Sequence, residues 1–353
     1  MVQMRSTWIH VCPAWVLGPR KAHHKFGGPV IGGIERVEDR LWELKQQFPD
    51  DLSSGHNYFE VRVDGDWEHL NSPNAISYDH LMDGITDGNF PRWSAFTHPA
   101  FGIAGVEDGA ILSEDEDVIA VALAGHLTAL ERSYNLQRTG LGLGHTIWWP
   151  AFDSRLHRGH LHNMGTDEAW EKLLAFWQGI FSATAHRKKE FEVMLEFKPS
   201  VPGQRDFIPT TDAAIAFCQE LNRRIGRKAM GINLEFAHAL IGGELVCSAM
   251  RKIIDANLFS GLVHVNSAEK ANVVWSPDGK GIISGTPGDD SDWPVGEGNV
   301  TIWEDQEAAI GLLDRLGATI SAEHDIDPMG EDPFECYERS RGNLEKMIRS
   351  VRN

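Results

Sequence analysis

Short apolar runs rich in strand-forming residues alternate along this chain with longer amphipathic stretches. The runs predict strands near Thr7–Cys12, Tyr58–Val63, Trp93–Phe96, His145–Trp149, Glu192–Phe197, Gly231–Glu235, Gly261–Val265 and Thr319–His324. Helical spacing lies between them, over Arg36–Gln47, Glu116–Leu136, Thr166–His186, Thr211–Ile225, Leu245–Ala256 and Asp305–Leu316, with a last helix at Glu338–Val351. Strand then helix, repeated about eight times, implies parallel strands joined by crossover helices. Eight such units in 353 residues suit one (β/α)8 TIM barrel, with residues 1–353 forming a single domain. A doubly wound open sheet is the alternative, but no GxGxxG follows the first strand to support a dinucleotide fold. The glycines at Gly140, Gly142 and Gly144 lead into a strand rather than a helix, so they are not read as a phosphate loop.

Three loops stand out for their Gly, Pro, Asp or His content: Gly18–Gly33, Pro99–Gly109 and Ser276–Gly298. Each follows a predicted strand, which in a barrel puts it at the catalytic face. Composition is that of a soluble globular chain, 42% hydrophobic and 24% charged. No apolar stretch approaches the roughly 20 residues that span a bilayer, and the short run ending near Leu17 is broken by Pro13 and is not read as a signal peptide. A formal net charge of -18 argues against nucleic acid and anionic lipid as partners and favours a cation site. Cys12, Cys218, Cys247 and Cys336 form no CxxC pair, and thiols of this kind fit the reducing cytoplasm.

The predicted strand ends carry the chemistry. The fifth runs into Glu196-Phe197-Lys198-Pro199, the sixth into Glu235-Phe236-Ala237-His238, the seventh reads His264-Val265-Asn266, and the eighth reads Glu323-His324-Asp325. Neighbouring barrel strands lie about 4.8 Å apart, so these tips can converge. Carboxylates brought together repel unless a cation neutralises them, and hard oxygen donors with an imidazole favour Mg²⁺ or Mn²⁺, with Co²⁺ a third candidate.

Taken in order, these segments resemble the xylose isomerases. Phe96-Thr97-His98-Pro99-Ala100-Phe101 looks like the family's Phe-x-His-Pro-x-Phe segment, and Thr146-Ile147-Trp148-Trp149 is similar to its tryptophan-bearing fourth strand. Glu196-Phe197-Lys198-Pro199 resembles its Glu-Pro-Lys-Pro, Glu235 and His238 keep its Glu-x-x-His spacing, and Asp325 sits where its last metal-binding aspartate falls. The resemblance implies that Glu196, Glu235 and Asp325 hold one ion. It implies that Glu235, His238 and Asp278 serve a second ion, that Asn266 occupies a ligand position, and that Lys198 steadies the substrate carbonyl oxygen. Phe96, His98, Trp148, Trp149 and Asn266 are implied to face a small-molecule sugar, and Lys198 and His238 to take part in catalysis. The implied reaction is an aldose–ketose isomerisation by metal-assisted hydride shift. The subunit count, whether dimer or tetramer, stays open.

Departures from the family are specific. The second strand leads into Arg62-Val63-Asp64-Gly65-Asp66, without the family's histidine. Asn266 replaces a metal-binding aspartate, and Asp278 alone remains of an Asp-x-Asp pair. A single-metal epimerase or lyase working by proton abstraction is therefore a second reading, and a non-catalytic sugar-binding homologue a third. Plainer roles also stand beside several residues: an ion pair for Lys198, core packing for Trp148 and Trp149, a hydrogen bond to a neighbour for Asn266, and a solvated acidic loop for Asp289-Asp290-Ser291-Asp292. His23 and His24 in the first loop are candidates for the missing ring-opening histidine, or a surface pair.

Overall fold

The computed structural model describes residues 5–13, 37–47, 57–62, 78–97, 110–150, 166–187, 189–199, 207–268, 274–275, 282–284, 292–298, 302–326 and 331–353. Eight parallel strands close into a ring. They are β1 (Thr7–Pro13), β2 (Asn57–Arg62), β3 (Arg92–Thr97), β4 (Gly142–Trp148), β5 (Val193–Glu196), β6 (Met230–Glu235), β7 (Phe259–His264) and, after four short strands, β12 (Thr319–Glu323). Each pairs in parallel with the next, and β12 pairs back onto β1, with Thr7 opposite Thr319. This is the (β/α)8 barrel that the alternating pattern predicts.

The helices are α1 (Val37–Gln47), α2 (Tyr78–Thr86), α3 (Glu116–Thr139), α4 (Thr166–Ala183), α5 (Thr211–Ile225), α6 (Phe236–Ile241), α7 (Val246–Asp255), α8 (Trp303–Asp314) and α9 (Pro333–Arg352). Local chemistry fixes their ends. Thr210 caps α5 by accepting from the N–H of Ala213, and Gly226, at φ 70°, ends it in the left-handed region. Asp332 caps α9 by accepting from the N–H groups of Phe334 and Glu335, ahead of a proline in the first turn.

Burial follows from the double-sided environment of a parallel barrel strand. All six residues of β6 and all four of β5 are buried. Alternation then splits each strand between two layers. Ala95, Ile147, Trp149, Met194 and Leu262 pack together from four different strands and the residue after β4. The larger cluster lies between strands and helices, where Trp148 meets Trp177 at 4.9 Å and Phe217 at 5.5 Å between ring centroids. His145 of β4 reaches Ser321 of β12, the diametrically opposite strand, at 3.2 Å.

Gly142 and Gly144 stand inside β4, not at a helix start. A Cβ on Gly142 would lie 2.3 Å from the carbonyl oxygen of Trp93, and one on Gly144 2.4 Å from that of Ser133. These glycines let α3 and β3 approach β4 closely.

Two antiparallel pairs rise between β7 and β12. One joins β8 (Asn266–Ala268) to β11 (Asp292–Pro294), and the other joins β9 (Val274–Trp275) to β10 (Ile282–Ser284). The sequence reading treats most of this stretch as loop. The first pair matters for the site, because Asn266 sits two residues beyond the end of β7.

Candidate metal centre

Because the eight strands run parallel, their C-terminal ends share one rim. Four consecutive strands end there on ionisable residues: Glu196 closes β5, Glu235 closes β6, His264 closes β7 and Glu323 closes β12. Register aligns three of them, since His264 is the Cα partner of both Glu235 and Glu323. All four are at most 3% exposed.

Their atoms converge. Nδ1 of His264 lies 3.2 Å from Oε2 of Glu196 and 3.7 Å from Oε2 of Glu235, while its Nε2 lies 3.6 Å from Oε2 of Glu323. Asp325, half-buried two residues past β12, completes one potential ion-binding group with Glu235 and His264, all ligand atoms within 4.8 Å of one another. A second group shares Glu235 and adds Glu196 and His238. His238 arrives by a different route. Glu235 occupies the N-cap position of the short helix α6, so the residue three further on returns to the same side, and His238 Nδ1 lies 3.2 Å from Glu235 Oε2 and 3.9 Å from Glu196 Oε1.

Two of the buried glutamates, Glu196 and Glu235, are each steered by an amide. Asn233, two residues before Glu235 on β6, donates from Nδ2 to Oε2 of Glu196 at 2.9 Å. Asn266 donates from Nδ2 to Oε1 of Glu235 at 3.0 Å. The electrostatics are those of carboxylates crowded away from water. Burial, and next the Glu235 carboxylate, push Glu196 well above the ordinary carboxylate range, with Asp325 adding to the rise.

A divalent cation fits this donor set. Three carboxylates and two imidazoles converge, and neither ring nitrogen of the fully buried His264 makes a hydrogen bond among the described residues. Hard oxygen donors with an imidazole suit Mg²⁺ or Mn²⁺. Glu235, His264 and Asp325 form one group that could hold it, and Glu196, Glu235 and His238 a second.

The structure separates the residues singled out from sequence. Glu196, Glu235, His238 and Asp325 come together. Lys198 follows β5 two residues after Glu196 and is half-buried. Trp149 lies in the cluster of Ala95, Ile147 and Met194 and interacts with the carboxyl of Glu196. Trp148 instead packs outward onto α4 and α5. Phe96 also faces the outer layer, 4.8 Å from Trp93 and 6.1 Å from Tyr78. The two aromatic walls expected of Trp148 and Phe96 therefore belong to the strand–helix interface. Asn266 is tied to Glu235, Asp292 and the backbone of Ala237. Asp292 is half-buried on β11, while Asp289, Asp290 and Ser291 lie outside the described residues. His98, Asp278, His23, His24, Asp64 and Asp66 lie outside the described residues.

Sequence reasoning noted His264 and Glu323 at their strand ends but gave neither a role at the site. Both were visible as ionisable residues ending an apolar run, the same signal that marked Glu196 and Glu235.

No protein-family model matches this sequence, and no curated protein matches it. Among solved structures the chain is similar to an L-ribulose 3-epimerase, at 15% identity over 99% of this chain and 96% of that one, with a TM-score of 0.60. A D-psicose 3-epimerase from Clostridium cellulolyticum, solved with D-tagatose, matches at 13% identity over 97% and 96% of the two chains, TM-score 0.55. A xylose isomerase domain protein from Planctomyces limnophilus matches at 14% identity over 99% of both, TM-score 0.53. At these identities the likeness shows a shared (β/α)8 barrel fold.

Proposed function

We propose that this protein is a divalent-metal-dependent enzyme that epimerises a sugar by moving a proton at the carbon next to a carbonyl. The observation that carries the reading is the pair of buried carboxylates flanking one imidazole, Glu196 on the Nδ1 edge of His264 and Glu323 on the Nε2 edge. Inverting a carbon centre needs one group to remove a proton and another to return it, and two carboxylates at one site supply that pair. A divalent ion, when bound, draws electron density from the carbonyl and makes the adjacent C–H more acidic. Glu235, Asp325 and the imidazole of His264 hold that ion's place, and Trp149 helps keep water from the Glu196 carboxyl. The folds of the ribulose and psicose 3-epimerases support the substrate class.

One observation favours a second reading, aldose–ketose isomerisation. Glu235 belongs to two potential ion-binding groups at once, as a hydride shift assisted by two ions requires. Lys198, half-buried beyond Glu196, is then the group that steadies the carbonyl oxygen.

The experiment is turnover in deuterium oxide with a panel of ketoses and aldoses, metal supplied as Mn²⁺. Deuterium at the inverted carbon of the product supports epimerisation. An aldose–ketose product without deuterium supports the second reading. Binding of sugars with no product from any of them would contradict both and leave a sugar-binding barrel.

A further inference from the structure

The two oxygens of Glu235 have different surroundings. Oε2 faces the imidazoles, 3.2 Å from Nδ1 of His238 and 3.7 Å from Nδ1 of His264. Oε1 accepts from Nδ2 of Asn266 at 3.0 Å. The same amide nitrogen also donates to Oδ1 of Asp292 at 3.0 Å, and Oδ1 of Asn266 accepts from the N–H of Ala237 at 2.9 Å. Both N–H bonds of this amide are therefore committed, its oxygen already accepts one bond, and Asn266 is fully buried. A metal would have to share that oxygen with the N–H of Ala237.

Asn266 is itself gripped from behind. Gln306 of α8, also fully buried, donates from Nε2 to the carbonyl oxygen of Asn266 at 2.9 Å and to Oγ of Ser267 at 3.0 Å. Its own oxygen accepts from the N–H of Gly296, in the turn after β11, at 3.0 Å. One glutamine thus ties β8 to the turn of its partner strand, and one asparagine transmits that placement to Glu235.

We propose that Asn266 is a positioning residue, not a ligand. It holds Oε1 of Glu235 so that Oε2 stays turned toward His238 and His264, and Asp292 and Gln306 hold Asn266 in that pose. The inference rests on the metal-centre reading given above. An ion-binding carboxylate free to rotate loses the preorganisation that the amide provides, so the signature is a weakened ion affinity in a protein that is otherwise folded. A purely structural role moves the melting temperature of the metal-free protein and leaves ion affinity alone.

The test is Mn²⁺ titration of the full-length protein, followed by electron paramagnetic resonance, with the melting temperature of the metal-free form measured in parallel. Asn266→Ala is expected to raise the Mn²⁺ dissociation constant on the order of 10–100-fold, the range for outer-sphere partners of metal ligands. Asp292→Ala and Gln306→Leu are expected to raise it by less, and Asp292→Asn, which keeps an acceptor oxygen for Asn266, to restore near-native affinity. If Asn266→Ala does not fold, Asp292→Ala and Asp292→Asn decide the matter. Unchanged affinity in the folded variants, beside native protein that binds Mn²⁺, would overturn the positioning role. Native protein that binds no Mn²⁺ would instead overturn the metal-centre reading beneath it.

Discussion

Oε2 of Glu323 lies 3.6 Å from Nε2 of His264, on the opposite edge of the ring from the one that faces Glu196. The imidazole is sandwiched between carboxylates from strands on either side of it, with no exposure to water. Both ring nitrogens face carboxylate oxygens, yet neither makes a hydrogen bond among the described residues. A cation among the carboxylates resolves the conflict, and four predictions follow from that arrangement and the fold around it.

Removing a carboxylate from the centre weakens ion binding. Glu235→Gln keeps the size and the contact with Asn266 but removes the charge shared by both ion-binding groups. Its Mn²⁺ affinity falls by more than the roughly 10–100-fold seen for outer-sphere changes. Isothermal titration of metal-free protein reads this directly, and an affinity equal to that of the native protein would contradict it.

Glu323→Gln separates chemistry from binding. Under the epimerase reading Glu323 exchanges a proton with the substrate, so turnover falls by on the order of 10²–10⁴-fold, the usual worth of a general acid or base. The sugar that the native enzyme turns over still protects the variant against heat. A variant with native turnover would remove Glu323 from the proton transfer.

Acid destabilises the fold through the β1–β12 seam. Burial, and next the Arg341 guanidinium, hold His10 down at about 3 from its ordinary 6.5. Its ring faces His324 at 3.0 Å and Glu345 at 3.8 Å. His324 is held low in the same way and bonds Ser340 on its far side at 2.8 Å. In the unfolded chain His10 takes up a proton below pH 6.5, whereas in the folded chain it stays neutral down to about 3. Stability is therefore complete above pH 6.5 and lost as pH falls through that window. Between pH 7 and 5 the loss from this one group is roughly 2 kcal/mol. Urea unfolding at the two pH values checks it: His10→Gln is expected to show a pH dependence smaller by about that amount, and an unchanged dependence would contradict it.

The return from α5 to β6 hangs on Asn222. Its Oδ1 accepts from the N–H groups of Ala229 and Met230, and its Nδ2 donates to the carbonyl oxygen of Met230, at 2.8 to 3.0 Å. Asn222→Ala strands these backbone groups at the foot of the strand that carries Glu235. The expected cost is about 2–3 kcal/mol in urea unfolding, with Mn²⁺ affinity of the folded protein preserved. A shift in affinity without loss of stability would be the opposite of what this packing implies.

How far the sequence carried the reading depended on how local the cause was. The strands were legible as apolar runs, as in Met230–Glu235, where every residue is buried, and α5 was legible to its last residue because Thr210 and Gly226 mark its ends. Glu196, Glu235, His238 and Asp325 were legible because each breaks an apolar pattern at a strand end or one turn beyond it. The face of a side chain was not. Trp148 and Trp149 are neighbours with equal claims in sequence, and only strand alternation in the folded barrel sends one to α4 and the other toward Glu196. The role of Asn266 was hidden for a different reason. Its partners Asp292 and Gln306 are 26 and 40 residues away, brought close by a two-stranded pair too short to leave a periodic signal. Helix α2 and strands β8 to β11 went unread on the same ground of brevity.

The central claim is that the ends of β5, β6, β7 and β12 enclose a divalent ion. Crystals grown with Mn²⁺ and measured at the manganese absorption edge test it most directly. The account predicts an anomalous peak among Glu235, His264 and Asp325, beside Glu196. A map without a peak there, from protein shown to be folded and saturated with Mn²⁺, would contradict it.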